Sequence, residues 1–293
     1  NFDYYHKRTD PLIATIKMPS SMGVTSRRAN IGVQVDQGFN GSLSYAFLYN
    51  PKKGINYTMS VNFRYGKAYY DKIGHNLDQY NKENIAKNMV RYYDGGSPTA
   101  LWAVRSRGID PATGKEIFVR KDGVLTYDFS YDEEVEVGDT RPTLEGVWGN
   151  TLYYKGFSAS VQIRYSFGAD AFNSTLFNKV ENISSGSITS NQDKRALYDR
   201  WKKPGDKAQF KGISLTETTK ISSRFVQREN VLSGESISAG YDFNPKKLAK
   251  LGVSAVRVQA NMNDIFRISS VKEERGIDYP FARTMSMSLS VTF

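Results

Sequence analysis

The amino-acid sequence predicts an all-β protein, namely a transmembrane antiparallel up-and-down β-barrel to which this chain contributes about ten strands. Three observations predict this fold class. Many segments alternate between apolar and polar side chains, the connections between them are alternately short and long, and the aromatic content is high for so polar a chain. A barrel with a lipid-facing apolar side and a wet interior produces this combination.

The composition of the 293 residues supports the same fold class. Apolar residues make up 39 % of the chain, below the roughly 45–50 % of soluble domains, yet 13 % of the residues are aromatic. Strands that are half hydrophilic and carry aromatic girdles give such a mixture. The sequence contains no run near the roughly 18 apolar residues that a spanning helix needs, which excludes an α-helical membrane protein.

The clearest alternation occupies the closing segment 281–293, FARTMSMSLSVTF. We expect its odd-numbered residues from Met285 to Phe293 to face lipid and its even-numbered serines to face the lumen. Leu289, Val291 and Phe293 form the predicted barrel-assembly signal, because Phe293 resembles the terminal aromatic residue that assembly machinery recognises. Deleting Phe293 or replacing Leu289 with Asp is expected to impair membrane assembly.

The first part of the chain predicts one strand end, a loop and a hairpin. Residues Phe2 to Arg8 have the pattern of a strand already under way, and Thr9 to Asn30, which contains two prolines, predicts a loop. Alternation over Ser42 to Tyr49 and again over Ile55 to Tyr69 predicts two strands. The turn NPKKG at 50–54 joins them into a hairpin.

The next part predicts a polar connection and two weaker strands. Residues Asp71 to Pro98 are polar, with a helix predicted around Asn81 to Met89. Thr99 to Arg107 and Lys115 to about Asp128 are predicted strands, joined by a turn with the sequence GIDPATG.

The acidic run Tyr131 to Asp139, YDEEVEVGD, predicts an exposed loop. A bound Ca²⁺ is an alternative for this run, because carboxylate oxygens are the ligands that Ca²⁺ prefers. The spacing of the carboxylates matches no EF-hand loop, so the exposed loop is favoured and no metal site is predicted.

The second half predicts two further hairpins around a long loop. Arg141 to Tyr154 and Phe157 to Ala171 form the first, joined by YKG, and Phe172 to about Ile221 is the long polar connection, with a helix around Gln192 to Trp201. The remaining predicted strands are one that ends at Phe243, one over Val256 to Met262 beyond the turn Asn244 to Gly252, and the closing segment.

The predicted connections sort by length, with the four short turns at one end and the long loops at the other. Outer-membrane barrels have this asymmetry, with short periplasmic turns and long extracellular loops. A soluble sandwich with Greek-key crossovers has no reason to sort its connections in this way.

The polar parity of the strands supplies the candidate site residues. Guanidinium and amide side chains that point into the lumen can hydrogen-bond a hydroxyl-rich or peptide ligand, although solvated lumen residues or contacts to another domain are the alternative for each one. The predicted lumen-facing residues are Arg64, Gln162, Arg164, Arg257, Gln259, Asn261 and Asn263. Two aromatic residues of the long loop, Tyr198 and Trp201, are candidates for extracellular contacts.

Catalytic chemistry is not predicted. The chain has no cysteine and only two histidines, His6 and His75, and it contains neither a G-x-S-x-G elbow nor an H-E-x-x-H zinc motif. We therefore expect no enzyme activity, no cofactor and no metal. The formal charge of +10 suggests an anionic partner, but the basic residues are scattered, so a nucleic-acid partner is not expected.

Several stretches resemble the C-terminal part of the SusC/RagA family of TonB-dependent outer-membrane transporters. The resemblance lies in RFVQRENVLSGESISAGYDF at Arg224 to Phe243 and in the sequence from Leu251 to Phe293, which includes ERGIDYPFAR. It is also carried by the strand, YKGF turn and strand at Thr140 to Asn173, and by the opening stretch Phe2 to Gly23. The resemblance covers most of the chain.

The resemblance implies a 22-stranded barrel with an internal plug domain, a TonB-box segment that engages the TonB complex, and a SusD-like surface lipoprotein as a lid. It implies import of oligosaccharides or peptides across the outer membrane of a Gram-negative, Bacteroidetes-like bacterium. The alternative is a passive outer-membrane porin or structural barrel. Residues 1–293 show no plug or TonB-box sequence, so we expect them to be roughly half of the barrel, at its C-terminal side, completed by the remaining N-terminal barrel and plug. The loop Phe172 to Ile221 is the predicted lid contact.

Overall fold

An eight-stranded antiparallel sheet, the wall sheet, forms the larger part of the molecule. The computed structural model describes residues 1–18, 20–189, 192–214, 216–244, 252–272 and 283–293. The strands of the wall sheet pair in the order β1-β2-β3-β8-β9-β10-β11-β12. They are β1 Phe2–Lys17, β2 Ser26–Asn50, β3 Ile55–Asp71, β8 Leu144–Tyr154, β9 Phe157–Phe172, β10 Val226–Asp242, β11 Ala255–Ser269 and β12 Met285–Thr292.

A loop layer lies at the end of the wall sheet where the long connections run; it comprises residues 72–143 and the described residues of 173–225. It contains a second antiparallel sheet with the order β6-β5-β4-β7. These strands are β4 Ala100–Ile109, β5 Glu116–Val119, β6 Leu125–Thr126 and β7 Glu134–Asp139. The helical elements of the layer are α1 Asp78–Asn84, 3-10 turns at Tyr131–Glu133, Ser185–Ser187, Lys194–Leu197 and Ser223–Phe225, and a π-helix at Leu176–Glu181.

Cross-strand register separates the wall sheet into an outward apolar face and an inner polar face. One transverse row on the outward face runs through Leu152, Ala159, Ala239, Ala260 and Met287. Met287 is 68 % exposed, and many other large side chains of this face are also exposed. Such an extended exposed apolar surface is typical of contact with lipid or another apolar partner.

The adjacent row on the opposite face is polar. It runs through Thr151, Ser160, Ser238, Asn261 and Ser286. Because side chains alternate along every strand, this regular pairing of small polar residues gives the wall sheet one hydrated face. The lipid-facing and lumen-facing parities predicted for β12 correspond to these two faces.

The short connections between wall strands share one end of the sheet. In the β2–β3 turn the side chain of Asn50 accepts a hydrogen bond from the backbone N–H of Lys53, and Gly54 is left-handed at φ +62°. In the β8–β9 turn Lys155 and Gly156 both have positive φ, at +47° and +95°. The predicted turn 244–252 lies largely outside the described residues.

Three apolar clusters stabilise the loop layer and its junction with the wall sheet. The clusters are built on Ile31, Tyr70, Ile73 and Leu77, on Leu176, Val180, Phe210 and Phe225, and on Met89, Leu101 and Ala103. Ile73, Val180 and Phe225 are fully buried. The layer therefore has the interior of a water-soluble domain, unlike the wall sheet. No helix in the described part of the chain is long and apolar enough to cross a membrane.

The loop predicted over Thr9 to Asn30 is too long. β1 continues to Lys17 and β2 begins at Ser26, and the two strands pair up to these residues, so the loop is confined to the connection between them. Pro11 lies at a register shift between Thr9 and Leu12, where a residue without a backbone N–H is tolerated.

The predicted number of about ten wall strands is also corrected, because the described wall sheet has eight. The segments predicted as Thr99 to Arg107 and Lys115 to Asp128 form β4, β5 and β6 of the loop layer. In β4 side chains of both parities are buried, so the strand has no exposed apolar face to present to lipid. The turn GIDPATG therefore lies at the loop end and not with the short turns.

Three local predictions in the loops need correction. The acidic run Tyr131 to Asp139 is not a free loop, because it holds a 3-10 turn and β7, and Glu134 is buried. The helix predicted around Asn81 to Met89 is α1, which ends at Asn84, and the helix predicted around Gln192 to Trp201 is only the single turn Lys194–Leu197. Residues Phe281 and Ala282 of the closing segment lie outside the described residues.

Candidate functional site

The inner face of the wall sheet carries a charged network near the loop layer. The Arg141 Nη2 atom lies 2.9 Å from the Asp36 Oδ1 atom, and the Tyr5 hydroxyl donates to the same oxygen at 3.3 Å. Arg64 donates to the Tyr5 oxygen at 3.4 Å and lies 3.8 Å from carboxylate oxygens of both Asp36 and Glu145. Each guanidinium of this network is thus neutralised by a carboxylate.

Polar pairs continue along the inner face towards the later strands. Arg164 Nε donates to Glu235 Oε1 at 2.9 Å, and the Ser160 and Ser238 hydroxyls lie 2.7 Å apart. Arg257 Nε lies 3.7 Å from Asp242 Oδ1. The face therefore presents hydroxyl, amide and paired guanidinium groups, which can exchange hydrogen bonds with a passing solute without a strong net field.

The seven residues predicted to face the lumen all lie on the inner parity of their strands. Gln259 donates to the Asn261 side chain at 2.9 Å, and Gln162 and Asn263 flank Ser236 from the two neighbouring strands. Arg64 lies apart from these residues, on β3. The predicted residues therefore fall into two groups, one around Arg64 and one on β9 and β11, on either side of β10. Their part in solute binding remains a prediction.

The two aromatic loop residues occupy different environments. Tyr198 is 62 % exposed. The Trp201 indole donates through Nε1 to the Pro111 carbonyl oxygen at 2.9 Å, and one of its faces covers Gly114, where an added Cβ would lie 2.5 Å from the ring. The indole is consequently fixed in place by the β4–β5 hairpin, and Tyr198 is the freer of the two contact candidates.

A cavity of 460 Å³ opens in the loop layer beside Trp201. Its lining includes the aromatic residues Trp201 and Tyr127 together with the charged residues Lys115, Lys211 and Glu217. Aromatic and charged groups in one concave surface can hold a polar ligand in a defined orientation.

A buried ion-pair centre, the Arg224 centre, borders this cavity, whose lining includes Glu116 and Glu181. Arg224 Nη2 contacts Glu181 Oε1 at 2.7 Å and Glu116 Oε2 at 3.1 Å, and both carboxylates are fully buried. Ser222 and Thr219 donate to the same two carboxylates. Burial opposes the charged form of Arg224, but hydrogen bonds to Glu181 and the charge of Glu116 raise its pKa. The centre ties β5 to the π-helix and to the start of β10.

A second buried pair joins the segment that follows α1 to β7. Arg91 donates to both carboxylate oxygens of Glu134, at 2.9 and 3.0 Å. Burial raises the pKa of Glu134, although the neighbouring guanidinium of Arg91 acts in the opposite direction. Within the described part of the chain, no three His, Asp or Glu side chains are grouped so that they could hold a metal ion.

The sequence interpretation missed the partners that hold these groups. Asp36 follows a stretch that was predicted to be loop, although Val33 and Val35 alternate with Gln34 and Asp36 and could have indicated an earlier start of the strand. The residues Glu116, Glu181 and Arg224 are far apart in the sequence, and no spacing signal connects them.

Comparison with known proteins agrees with this architecture. The sequence is 24 % identical over 319 residues to the TonB-dependent receptor P39 of Formosa agariphila, across 92 % of this chain and 30 % of that protein. It is 24 % identical over 334 residues to the TonB-dependent receptor P3 of the same organism, across the whole chain and 32 % of that protein. The chain therefore spans about a third of the length of the curated relatives it matches. No protein-family model matches it.

Solved structures of similar fold include the RagAB peptide importer in its open-open state, with a TM-score of 0.78 at 19 % identity, across all of this chain and 32 % of that one. The closed-closed state of the same importer gives a TM-score of 0.76 over 98 % of this chain. These matches confirm the predicted β-barrel fold class and the resemblance of this chain to SusC/RagA-type TonB-dependent transporters.

Proposed function

We propose that this chain is the C-terminal portion of the barrel of a TonB-dependent importer in the outer membrane of a Gram-negative, Bacteroidetes-like bacterium. The observation that carries the proposal is the polarity of the wall sheet, whose outward face exposes Met285, Met287 and Leu289 while its inner face carries paired charges and hydroxyls. Such a sheet is stable with lipid on one side and water on the other.

The proposed cargo is an oligosaccharide or a peptide that is too large for diffusion through a porin. The inner face supports this assignment because its amide, hydroxyl and guanidinium groups match the hydrogen-bonding groups of both cargo classes. The peptide-importer fold of the solved neighbours supports it in addition. The chain has a binding role in this proposal and performs no covalent chemistry.

The proposed partners follow from the missing parts of the barrel. The remaining N-terminal barrel strands complete the wall sheet, since unpaired strand edges in lipid cost several kcal/mol for each exposed backbone group. The plug connects the barrel to the TonB complex, and a SusD-like surface lipoprotein covers the loop layer. Tyr198 and Trp201 are the proposed contacts in that layer.

Uptake measurements on the complete gene product test the proposal. Cells that express it should accumulate labelled oligosaccharides or peptides, and deletion of either TonB or the associated lipoprotein should abolish accumulation. The passive porin would instead give liposome swelling with the purified protein alone. Uptake that persists without TonB, or such swelling, would overturn the importer assignment.

A further inference from the structure

An apolar cavity of 300 Å³ lies on the outward face of the wall sheet, close to the short turns. Its floor is the transverse row that contains Ala159, Ala239 and Ala260, and its rim includes the larger side chains of Leu152, Phe157, Tyr241 and Val258. Register explains the depression, because these small residues lie between two rows of larger ones on three neighbouring strands. The cavity therefore has a shape set by the sequence of the wall and not by a loop.

The end of the wall sheet beside this cavity is basic. The two short connections that the structure describes in full, NPKKG at 50–54 and YKG at 154–156, contain three lysines and no acidic residue. In the inner-face network, by contrast, every arginine has a carboxylate partner. Within the described residues, Lys52, Lys53 and Lys155 form no ion pair with a carboxylate. These three lysines can therefore bind an anionic partner outside the protein.

One of these lysines is already directed to the outward face. The Lys155 Nζ atom lies 5.2 Å from the centre of the Tyr154 ring, and Tyr154 pairs with Phe157 on the apolar parity. Phe157 in turn lies 4.5 Å from the Tyr241 ring, centre to centre. An ammonium group therefore lies at the end of an aromatic row that borders the apolar cavity, which is the arrangement expected at a membrane interface.

We infer that this cavity holds an acyl chain of an anionic glycerophospholipid from the periplasmic leaflet, and that Lys155, together with Lys52 and Lys53 of the neighbouring turn, binds its phosphate. The cavity accepts the hydrocarbon, because its surface is almost wholly apolar. The charge complementarity selects this occupant over an apolar protein surface, which would leave the lysines without partners. The inference depends on the proposed membrane orientation but not on the cargo.

Native mass spectrometry of the complete protein in detergent tests this inference, with dioleoylphosphatidylglycerol as the probe and dioleoylphosphatidylethanolamine as the comparison lipid. The substitution Ala239→Phe, which fills the cavity, should weaken binding of the anionic lipid at least tenfold. Ile237→Phe is the matched control, because Ile237 lies two residues away on the same strand and face, outside the cavity. It should leave binding within about twofold.

The headgroup contact is tested separately. Lys155→Gln should weaken binding of the anionic lipid roughly fivefold, the size expected for one lysine at an anionic surface, whereas Lys203→Gln in the loop layer should have no effect. If Ala239→Phe prevents assembly, Ala260→Val provides a milder filling of the same cavity and should reduce binding several-fold.

Three results would overturn the inference. The first is unchanged lipid binding by assembled cavity-filling variants. The second is equal binding of the two lipids together with no effect of Lys155→Gln. The third is a change from a self-associated to a monomeric mass on filling the cavity, which would identify a second copy as its occupant. Loss of TonB-dependent uptake would contradict the proposed cargo function and leave this measurement unaffected.

Discussion

The wall sheet and the loop layer place their apolar and charged side chains in opposite ways. In β12 of the wall sheet the large apolar residues are exposed, with Leu289 at 67 %, and the hydroxyls lie on the inner face. In the loop layer Phe225 and Val180 are fully buried, and so are the carboxylates of Glu116 and Glu181. One chain therefore contains two regions that are adapted to different solvents, lipid for the first and water for the second. The same type of substitution should have different consequences in the two regions.

The largest expected effect is in the loop layer, at Arg224. Arg224→Met removes the guanidinium that forms ion pairs with two buried carboxylates, and removing one partner of a buried ion pair costs about 3–5 kcal/mol. Hydrogen exchange in residues 100–140 and 173–214 should accelerate strongly, while the heat resistance of the barrel stays unchanged. Arg228→Met is the control, because its pair with Asp170 is exposed on the arginine side and is worth below about 1 kcal/mol. Equal protection in the two variants would show that the Arg224 centre does not hold the layer together.

The next largest effect is on the outward face of the wall sheet. Leu289→Arg places a charge against lipid, at a cost of about 2–4 kcal/mol near the middle of the bilayer, so the amount of folded protein in the outer membrane should fall several-fold. Ser288→Arg, one residue away on the inner face, should assemble almost normally. The comparison is made by the heat-dependent shift of the folded barrel on gels. Equal loss in both variants would contradict the assignment of the two faces.

An intermediate effect is expected from acid in the loop layer. A hydrogen bond from Arg195 lowers the pKa of Asp193 below its ordinary value of 3.8. The ionised form is thus favoured by folding, so its contribution to stability is complete above about pH 3.8 and is lost as the pH falls through the lower pKa of the folded protein. Hydrogen exchange in residues 192–200, corrected for intrinsic rates, should increase on acidification.

Substitution of this aspartate separates its contribution from general acid unfolding. Asp193→Asn should show weaker protection at neutral pH and little further change in acid, while Asp128→Asn, at an exposed position, should behave like the unaltered protein. An acid response of residues 192–200 that is identical in all three proteins would assign the transition to other groups.

The smallest effect on stability is expected on the inner face of the wall sheet. The pair between Arg164 and Glu235 is largely exposed, so Arg164→Met should change the free energy of unfolding by less than about 1 kcal/mol. Uptake should respond more strongly, because this guanidinium is one of the proposed cargo contacts. The cargo affinity and the melting temperature of the variant are both compared with those of the unaltered protein. An unchanged cargo affinity would show that Arg164 is not part of the candidate site.

The same comparison explains what could be predicted from the sequence. Alternation with a period of two is a local signal, and it placed the hairpins β2–β3 and β8–β9 and both faces of β12 correctly. It did not distinguish β4 from a strand of the wall sheet. β4 has the apolar residues of a strand, but it is buried on both faces and belongs to the loop layer. The alternation signal also failed over most of Thr9 to Asn30, where Pro11 and a register shift conceal the pairing of β1 with β2.

The site was predictable to a similar degree. The inner-face positions of Arg164 and Asn261 follow from parity, because a strand fixes the direction of every second side chain. Their partners do not follow, since Glu235 is 71 residues from Arg164 and depends on the register of β10 beside a bulge. The Arg224 centre depends on the packing of three separate segments, and no local pattern in the sequence of any one segment indicates that packing.

The Arg224 centre has a consequence for how such proteins can be recombined. Its charges come from both long connections, since Glu116 lies in residues 72–143 whereas Glu181 and Arg224 lie in residues 173–225. A chimera that takes only the first connection from a relative would place a foreign side chain opposite a buried guanidinium. A chimera that takes both connections together would keep the charges matched, because Glu116, Glu181 and Arg224 would then be replaced as one set. The two connections therefore have to be exchanged together. A new binding specificity should be introduced into this barrel by replacing both of them at once.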